Sequence, residues 1–161
     1  MLTHKIEFSA HKIGEESIYS FLILWNANSF SFIDGSLYDY VNRSGSQSDY
    51  KMDDPWGDVA TTLKKKITEI GLYSRFANTI NAFEITATIV SLDRMALKYH
   101  YGIYSKLAKD RLIKLSKDID DKYSIDYSNM NSKAIFLYPL IKMKLTTVIF
   151  VISRFRRMFR K

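Results

Sequence analysis

Residues 73–92 of the chain read YSRFANTINAFEITATIVSL, a stretch in which only Arg75 and Glu84 carry a charge. Apolar side chains recur in it at helical spacing, at Phe76, Ile80, Phe83, Ala87 and Val90. A helix that is nearly uncharged around its middle is typical of a buried position. We therefore predict that these residues form a buried helix, which could extend through Tyr104.

Two further helices are predicted on either side of this one. Before it, one apolar face repeats at helical spacing, at Val59, Leu63, Ile67 and Ile70. Gly71 then provides a C-terminal stop. After it, residues 107–119 form a charged amphipathic pattern, and Asp118-Ile119-Asp120 indicates a solvated charged face rather than a metal motif. Residues 55–126 are accordingly predicted to be a helical extension.

The positive charge of the protein is concentrated at its C-terminal end. The formal net charge is +7, and residues 127–161 contain no acid but carry Lys133, Lys142, Lys144, Arg154, Arg156, Arg157, Arg160 and Lys161. Apolar residues stand at helical spacing between these cations, so residues 133–161 are predicted to form a basic amphipathic helix. This helix either lies on an anionic membrane surface or packs back on the core with a solvated basic end. The local asymmetry argues against a nucleic-acid partner.

Composition excludes several classes of site. The chain has 47% hydrophobic residues, enough for a core, and 0 cysteines, which excludes disulfides and thiolate metal sites and favours a reducing compartment. Its three histidines show no ligand spacing, so no metal site is predicted. The start of the chain lacks an apolar run of signal-peptide length, and residues 145–152 are far shorter than the roughly 20 apolar residues of a membrane span. We expect a cytoplasmic protein, peripheral at the inner face of the plasma membrane.

An acid pair precedes the first predicted helix. Glu15 and Glu16 follow Gly14, and residues 17–25 carry apolar side chains at helical spacing. Acids in a first turn stabilise the helix dipole by about 0.3–1 kcal/mol, which is one interpretation of the pair. The other is that one carboxylate accepts the proton of an attacking hydroxyl at this junction of loop and helix.

A β-hairpin is predicted after this helix. Residues 29–33 alternate in polarity, Asp34-Gly35 is a strong turn signal, and residues 36–41 alternate again. A further short strand is predicted at residues 6–8. The predicted fold class is therefore α+β, mainly α, with a short antiparallel β-hairpin followed by the helical extension.

Taken in order, these elements resemble the latter part of a glycosyltransferase family 2 protein of the GT-A type. Such proteins build bacterial capsule, exopolysaccharide or lipopolysaccharide. The matching pieces are Gly14-Glu15-Glu16, Phe32-Ile33-Asp34, Leu37-Tyr38-Asp39-Tyr40, and Arg43 with Ser44 and Ser46. The resemblance implies that residues 1–48 are the C-terminal remnant of a GT-A catalytic domain. Because no nucleotide-binding half precedes them, we expect the chain to be a fragment.

The resemblance also implies roles for individual residues. Glu16 takes the position of the family's catalytic Asp and would deprotonate the acceptor hydroxyl, with Glu15 in support. Arg43, Ser44 and Ser46 match the turn near the donor diphosphate, where a guanidinium and hydroxyls would stabilise the leaving group. The alternative for Arg43 is a solvated turn residue.

In an intact enzyme, the resemblance implies sugar transfer from a nucleotide sugar to a growing glycan or a lipid-linked acceptor. Mg or Mn is expected only in an intact relative, because the family's Asp-x-Asp motif belongs to the half that is missing here, and no cofactor is predicted in this chain. A complementing N-terminal half is a candidate partner, and the isolated chain is expected to be inactive. The alternative function is a non-catalytic helical module that binds a partner or a membrane surface.

Overall fold

The computed structural model describes Ile6, residues 14–35 and residues 52–158. The chain divides into two compact units, Met1–Met52 and Asp53–Lys161. In the first unit, helix α1 spans Glu15–Asn26, which confirms the helix predicted at residues 17–25. Gly14 caps it with φ 73°, a left-handed conformation that suits glycine, and its carbonyl accepts the Ser17 amide at 3.1 Å.

The predicted β-hairpin is wrong where the structure describes it. Residues 27–35 form no strand, and the regular structure of the described residues is entirely helical, so the α+β fold class is corrected to all-α. Phe32 is 91% exposed, and its ring meets that of Phe30 edge to face, with 5.7 Å between centroids. Alternation stabilises a hairpin only when a partner strand and a core cover the apolar side, and these rings remain in solvent. The strand predicted at residues 36–41 lies outside the described residues.

The second unit contains five described α-helices, four of which pack around a central one. They are α2 (Pro55–Glu69), α3 (Tyr73–Lys98), α4 (Tyr101–Asp118), α5 (Ser132–Lys142) and α6 (Thr146–Met158), with a 3₁₀ turn at Tyr127–Asn129. Helix α3 packs against each of the other four. The buried helix predicted at residues 73–92 is thereby confirmed, and its surroundings explain why its sequence is nearly uncharged.

The ends of these helices follow from local chemistry. Asp54 caps α2, since its Oδ1 accepts the Gly57 amide at 3.1 Å, and a Cβ on Gly57 would collide with that carboxylate. Gly71 separates α2 from α3 with φ 73°. Helix α3 ends at Lys98 and does not extend through Tyr104. Tyr99 and His100 have extended backbone conformations, and α4 begins after them as a separate helix at Tyr101.

One face of α3 buries a row of polar side chains, here called the polar seam, which consists of Asn81, Glu84, Thr88 and Ser91. Their spacing of three, four and three residues places them on one side of the helix. Asn81 Nδ2 donates to the carbonyls of Asp120 and Tyr123 at 3.0 and 3.2 Å. Ser91 Oγ donates to Asp54 Oδ1 at 2.5 Å. The polar seam therefore fastens the segment after α4 and the start of α2 to the central helix.

The apolar core lies among α3, α4, α5 and α6. Its largest members include Ile85, Ile89, Leu92, Tyr104, Leu137 and Ile149. Across residues 14–35 and 52–158, none of the helices combines the length and the apolar composition that a bilayer crossing requires.

Candidate interaction surface

The residues that the glycosyltransferase resemblance singled out fall at the edge of, or beyond, the described structure. Glu15 begins α1, and Glu16 follows in the first turn with an exposed side chain. This position agrees with helix capping by an acid and equally leaves the carboxylate of Glu16 open to solvent. Arg43, Ser44 and Ser46 lie outside the described residues. The catalytic and diphosphate-binding roles of these residues stay predictions.

The most deeply buried charges of the second unit lie between α2, α3 and α4. Glu84 is 0% exposed and Arg111 is 4% exposed. Arg111 Nη2 lies 3.7 Å from Glu84 Oε2, and Arg111 Nε lies 2.9 Å from Asp54 Oδ2. Neither contact has hydrogen-bond geometry, and within the described residues neither oxygen of Glu84 has a hydrogen-bond partner. The charges therefore compensate each other by proximity rather than through directed hydrogen bonds.

Burial raises the pKa of Glu84 to about 7, with Asp118 adding to the rise and Arg111 opposing it. A carboxyl with such a pKa is often catalytic. Glu84, however, is closed off from solvent, so a substrate cannot reach it. In the described parts of the chain, no three acidic or histidine side chains come together as a metal site. We assign Glu84 a structural role.

Asp93 on α3 joins the last two described helices to the central one. Its carboxylate accepts Lys133 Nζ of α5 at 2.9 Å, and Ser153 Oγ and Arg156 Nη2 of α6 at 2.7 and 3.4 Å. Burial alone would raise the pKa of Asp93, but the hydrogen bonds from Lys133 and Ser153 and the nearby positive charges hold it below its ordinary value of 3.8. We call residues 133–161, which carry these cations, the basic tail. Two of its cations, Lys133 and Arg156, therefore stabilise the packing of α5 and α6 on α3.

We expect Asp93→Asn to lower the unfolding free energy of the second unit by about 2 kcal/mol at neutral pH, because Lys133 and Arg156 lose their counter-charge. Since the folded-state pKa is lowered, this contribution is present above the ordinary value of 3.8 and is lost as the pH falls through the folded-state pKa. Urea unfolding at neutral and strongly acidic pH should show the difference from wild type shrinking in acid.

Amide hydrogen exchange locates the effect of Asp93→Asn. Exchange in α5 and α6 should accelerate relative to α2, because the lost contacts hold only those two helices to α3. The exposed Asp110→Asn serves as the matched control and should change neither stability nor exchange. Unaltered exchange in α5 and α6 of the Asp93 variant would rule out the joining role.

Within residues 132–158, the basic tail forms two helices rather than the one predicted for residues 133–161. Between them Lys144 adopts φ 56°, and the Leu145 amide donates to the Leu140 carbonyl at 2.8 Å, a pattern typical of a helix C-terminus. Helix α6 buries Ile149 and Ser153 and packs on α3 and α4. This packing agrees with the interpretation in which the tail folds back on the core.

The sides of α5 and α6 that point away from the core carry exposed apolar side chains. We call this set the outward face; it comprises Phe136, Pro139 and Met143 along α5 and its end, and Val148, Val151, Phe155 and Met158 along α6. The spacing of three and four residues in each helix puts these residues opposite the buried ones. Phe136 is 68% exposed and Met158 is 71% exposed. Each of the two helices is therefore apolar on both its inner and its outer side.

Cations accompany the outward face. Lys142, Lys144, Arg154 and Arg157 are exposed, and the sequence from residue 127 to 161 contains no acid. Arg154 Nη2 donates to the Tyr99 carbonyl at 2.7 Å, and its guanidinium lies over the Phe150 ring at 5.3 Å from the centroid. The surface formed by α5 and α6 is thus both apolar and positive.

Comparison with known proteins identifies no relative of this chain. No protein-family model matches the chain, and neither a curated protein nor a solved structure is significantly similar to it. The resemblance to family 2 glycosyltransferases accordingly stays a prediction, carried by the motifs between residues 14 and 46.

Proposed function

We propose that residues 53–161 form a non-catalytic helical module that binds an anionic membrane surface through the outward face. The observation that carries this proposal is the exposed apolar row along α6, directly opposite the buried side of the same helix and next to Arg154 and Arg157. A helix that is anchored on one side and apolar on the other can dip its outer side chains into the boundary between headgroups and acyl chains.

The charge of the tail favours lipid over a protein partner. An ordinary protein surface presents charges of both signs, whereas the tail supplies cations and no acid. An anionic leaflet is complementary to such a surface at every cation. Asp93 compensates the charges of Lys133 and Arg156, whereas the Tyr99 carbonyl that binds Arg154 is neutral. The cations that meet the membrane in this proposal are therefore Lys142, Lys144, Arg154 and Arg157.

The expected affinity is modest and reversible. Each cation near an anionic leaflet contributes about 1 kcal/mol, and this attraction falls off within a Debye length. Insertion of the exposed part of one aromatic side chain contributes a further 1–2 kcal/mol, roughly in proportion to the apolar area removed from water. Neither contribution alone holds the module on a membrane, so binding should require both the charges and the apolar row.

Co-sedimentation with vesicles tests the proposal. We expect the protein to bind vesicles of phosphatidylcholine mixed with phosphatidylglycerol and to bind pure phosphatidylcholine vesicles much more weakly. Binding should fall as salt is raised towards about 1 M, where the Debye length is about 3 Å. Equal binding to both kinds of vesicle would contradict the electrostatic part of the proposal.

Variants separate the outward face from general hydrophobicity. Phe155→Ser should weaken vesicle binding about tenfold, because the exposed ring no longer inserts. Ile103→Ser removes a comparably exposed apolar side chain from α4 and should leave binding unchanged. Similar losses in both variants would argue against the outward face. Binding to duplex DNA that persists in Phe155→Ser and displaces the protein from vesicles would instead identify a nucleic-acid surface.

A further inference from the structure

A pocket of about 340 Å³ opens between α4 and the connection from α5 to α6. One face of α4 forms one wall, with Ser105, Lys109, Leu112, Ile113 and Ser116. The opposite wall consists of Lys144 and Thr146, which stand at the end of α5 and the start of α6. The apolar residues of the outward face contribute nothing to this lining, and the two sites share only Lys144, which is also one of the four cations assigned to the membrane.

Hydrogen bonds fix the two walls relative to each other. The hydroxyl of the fully buried Tyr104 on α4 donates to the Thr146 carbonyl at 3.0 Å. Next to it, the hydroxyls of Tyr101 and Thr147 lie 2.6 Å apart. Because these bonds tie the first turn of α6 to α4, the pocket is formed before any ligand binds, as most small-molecule sites are.

The polar groups of the pocket suit an anion with several oxygens. Among the lining residues, Lys109 and Lys144 carry ammonium groups, Ser105 and Thr146 carry hydroxyls, and none is an acid. The N-terminus of α6 adds the positive end of a helix dipole. Ser116 Oγ donates its proton to the Ile113 carbonyl at 2.8 Å and thus contributes to the wall rather than to the anion.

The backbone of Lys144 has a conformation that is unfavourable for a residue with a side chain. Its φ of 56° belongs to the left-handed region, where glycine is the usual residue at the end of a helix. A lysine at this position adds a cationic side chain to the pocket lining, which a glycine would lack. The backbone conformation therefore also provides a clean variant, because Lys144→Gly removes the side chain and relieves the strain.

The volume and the apolar wall indicate more than a bare ion. The pocket lies at the lower end of the range of roughly 300–1,000 Å³ found for small-molecule sites. Leu112 and Ile113 line the part that the cations do not. We propose that this pocket binds a phosphate monoester with a small apolar group, the phosphate lying between Lys109 and Lys144 and the apolar group against Leu112 and Ile113.

An NMR titration of the full chain with phenyl phosphate, inorganic phosphate and phenol tests this proposal. Phenyl phosphate should shift the amide resonances of Lys109, Lys144 and Thr146 saturably, with a Kd of about 0.1–1 mM. Inorganic phosphate should bind the same residues about fivefold more weakly, because it lacks the contact with the apolar wall. Phenol should give no saturable shift. Absence of saturable shifts with phenyl phosphate would overturn the proposal.

Matched lysine variants control for net charge. Lys144→Gly should weaken phenyl phosphate binding about tenfold through loss of one charge-assisted contact. Lys142→Gln removes the same charge two positions away, outside the pocket, and should leave binding unchanged. If both variants weakened phenyl phosphate binding equally, the binding would depend only on net charge, and the proposed pocket would be wrong. A thermal unfolding curve of Lys144→Gly with an unchanged or higher midpoint shows that folding is retained.

Binding to vesicles of two different lipids tests whether the natural phosphate belongs to a lipid headgroup or to a soluble ester. Vesicles with phosphatidic acid carry a monoester, whereas phosphatidylglycerol is a diester. Stronger binding to phosphatidic acid that is lost in Lys144→Gly but kept in Lys142→Gln supports a lipid headgroup as the natural ligand, and equal binding to both lipids supports a soluble ester. Phe155→Ser should leave phenyl phosphate binding intact, so the pocket and the membrane proposal fail or succeed separately.

Discussion

Replacing Arg111 by methionine should lower the unfolding free energy of the second unit by about 3–5 kcal/mol at mildly alkaline pH. Arg111 is almost fully buried and lies 3.7 Å from Glu84 Oε2 and 2.9 Å from Asp54 Oδ2. Methionine fills a similar elongated space, so the main change is that two carboxylates lose their shared cation. Urea unfolding monitored by circular dichroism measures the loss.

A double variant distinguishes the lost charge from lost packing. Glu84→Met combined with Arg111→Met removes the fully buried carboxylate together with its cation and should recover most of the stability, because the remaining Asp54 is partly exposed and keeps Lys114 nearby. Lys114→Met is the surface control, since Lys114 approaches Asp54 and Asp58 only at 3.7 and 3.6 Å and is partly exposed. Its effect should stay within about 0.5 kcal/mol. Strictly additive losses in the double variant would show that Arg111 acts through packing alone.

Stability of the wild type should fall by about 3 kcal/mol between mildly acidic and mildly alkaline pH, because of Glu84 alone. The pKa of Glu84 is raised from its ordinary value of 4.5 to about 7, chiefly by burial. Between these values the folded chain binds more protons than the unfolded chain, so unfolding becomes easier as the pH rises. Glu84→Gln stays neutral and should therefore be more stable than wild type above the folded-state pKa and nearly equal to it near 4.5.

Melting temperatures recorded over this pH range provide the measurement. The curve of Glu84→Gln should be flatter than that of the wild type, and the two should separate as the pH passes about 7. Glu69→Gln, which removes a partly exposed acid from the end of α2, should run parallel to the wild type. A Glu84→Gln curve that also runs parallel to the wild type would show that Glu84 is ionised throughout the range.

The helices could be predicted from the sequence because their signals are local. Apolar spacing identified α1, α2 and α3, and Gly71 marked the break between α2 and α3. The hairpin prediction was wrong because alternating polarity indicates only that one side of an extended segment would be apolar. It does not indicate whether another strand pairs with that segment. Whether Phe30 and Phe32 join a sheet depends on a partner strand, which is not a local property.

The buried charges required knowledge of tertiary contacts. Glu84 stands out in the sequence as the lone acid within a stretch from residue 76 to 92, and this is a usable signal. Arg111, however, reads as one more cation on a charged amphipathic helix, and only packing shows that it turns inward. Similarly, Lys133 and Arg156 look like surface charges until Asp93 is seen between them. The pocket depends on the same kind of non-local meeting, between α4 and the start of α6.

The polar seam of α3 determines where the neighbouring elements can sit along the central helix. A shift by one helical turn moves a side chain by about 5.4 Å, which is more than any hydrogen bond or ion pair tolerates. Asn81, Glu84 and Ser91 would then lose their partners simultaneously. The apolar side chains would be mismatched as well, since Asn81, Glu84 and Thr86 stand four residues after Ala77, Ile80 and Ala82. The apolar residues hold the helices together, and the polar seam adds directed contacts that only one alignment of these helices satisfies.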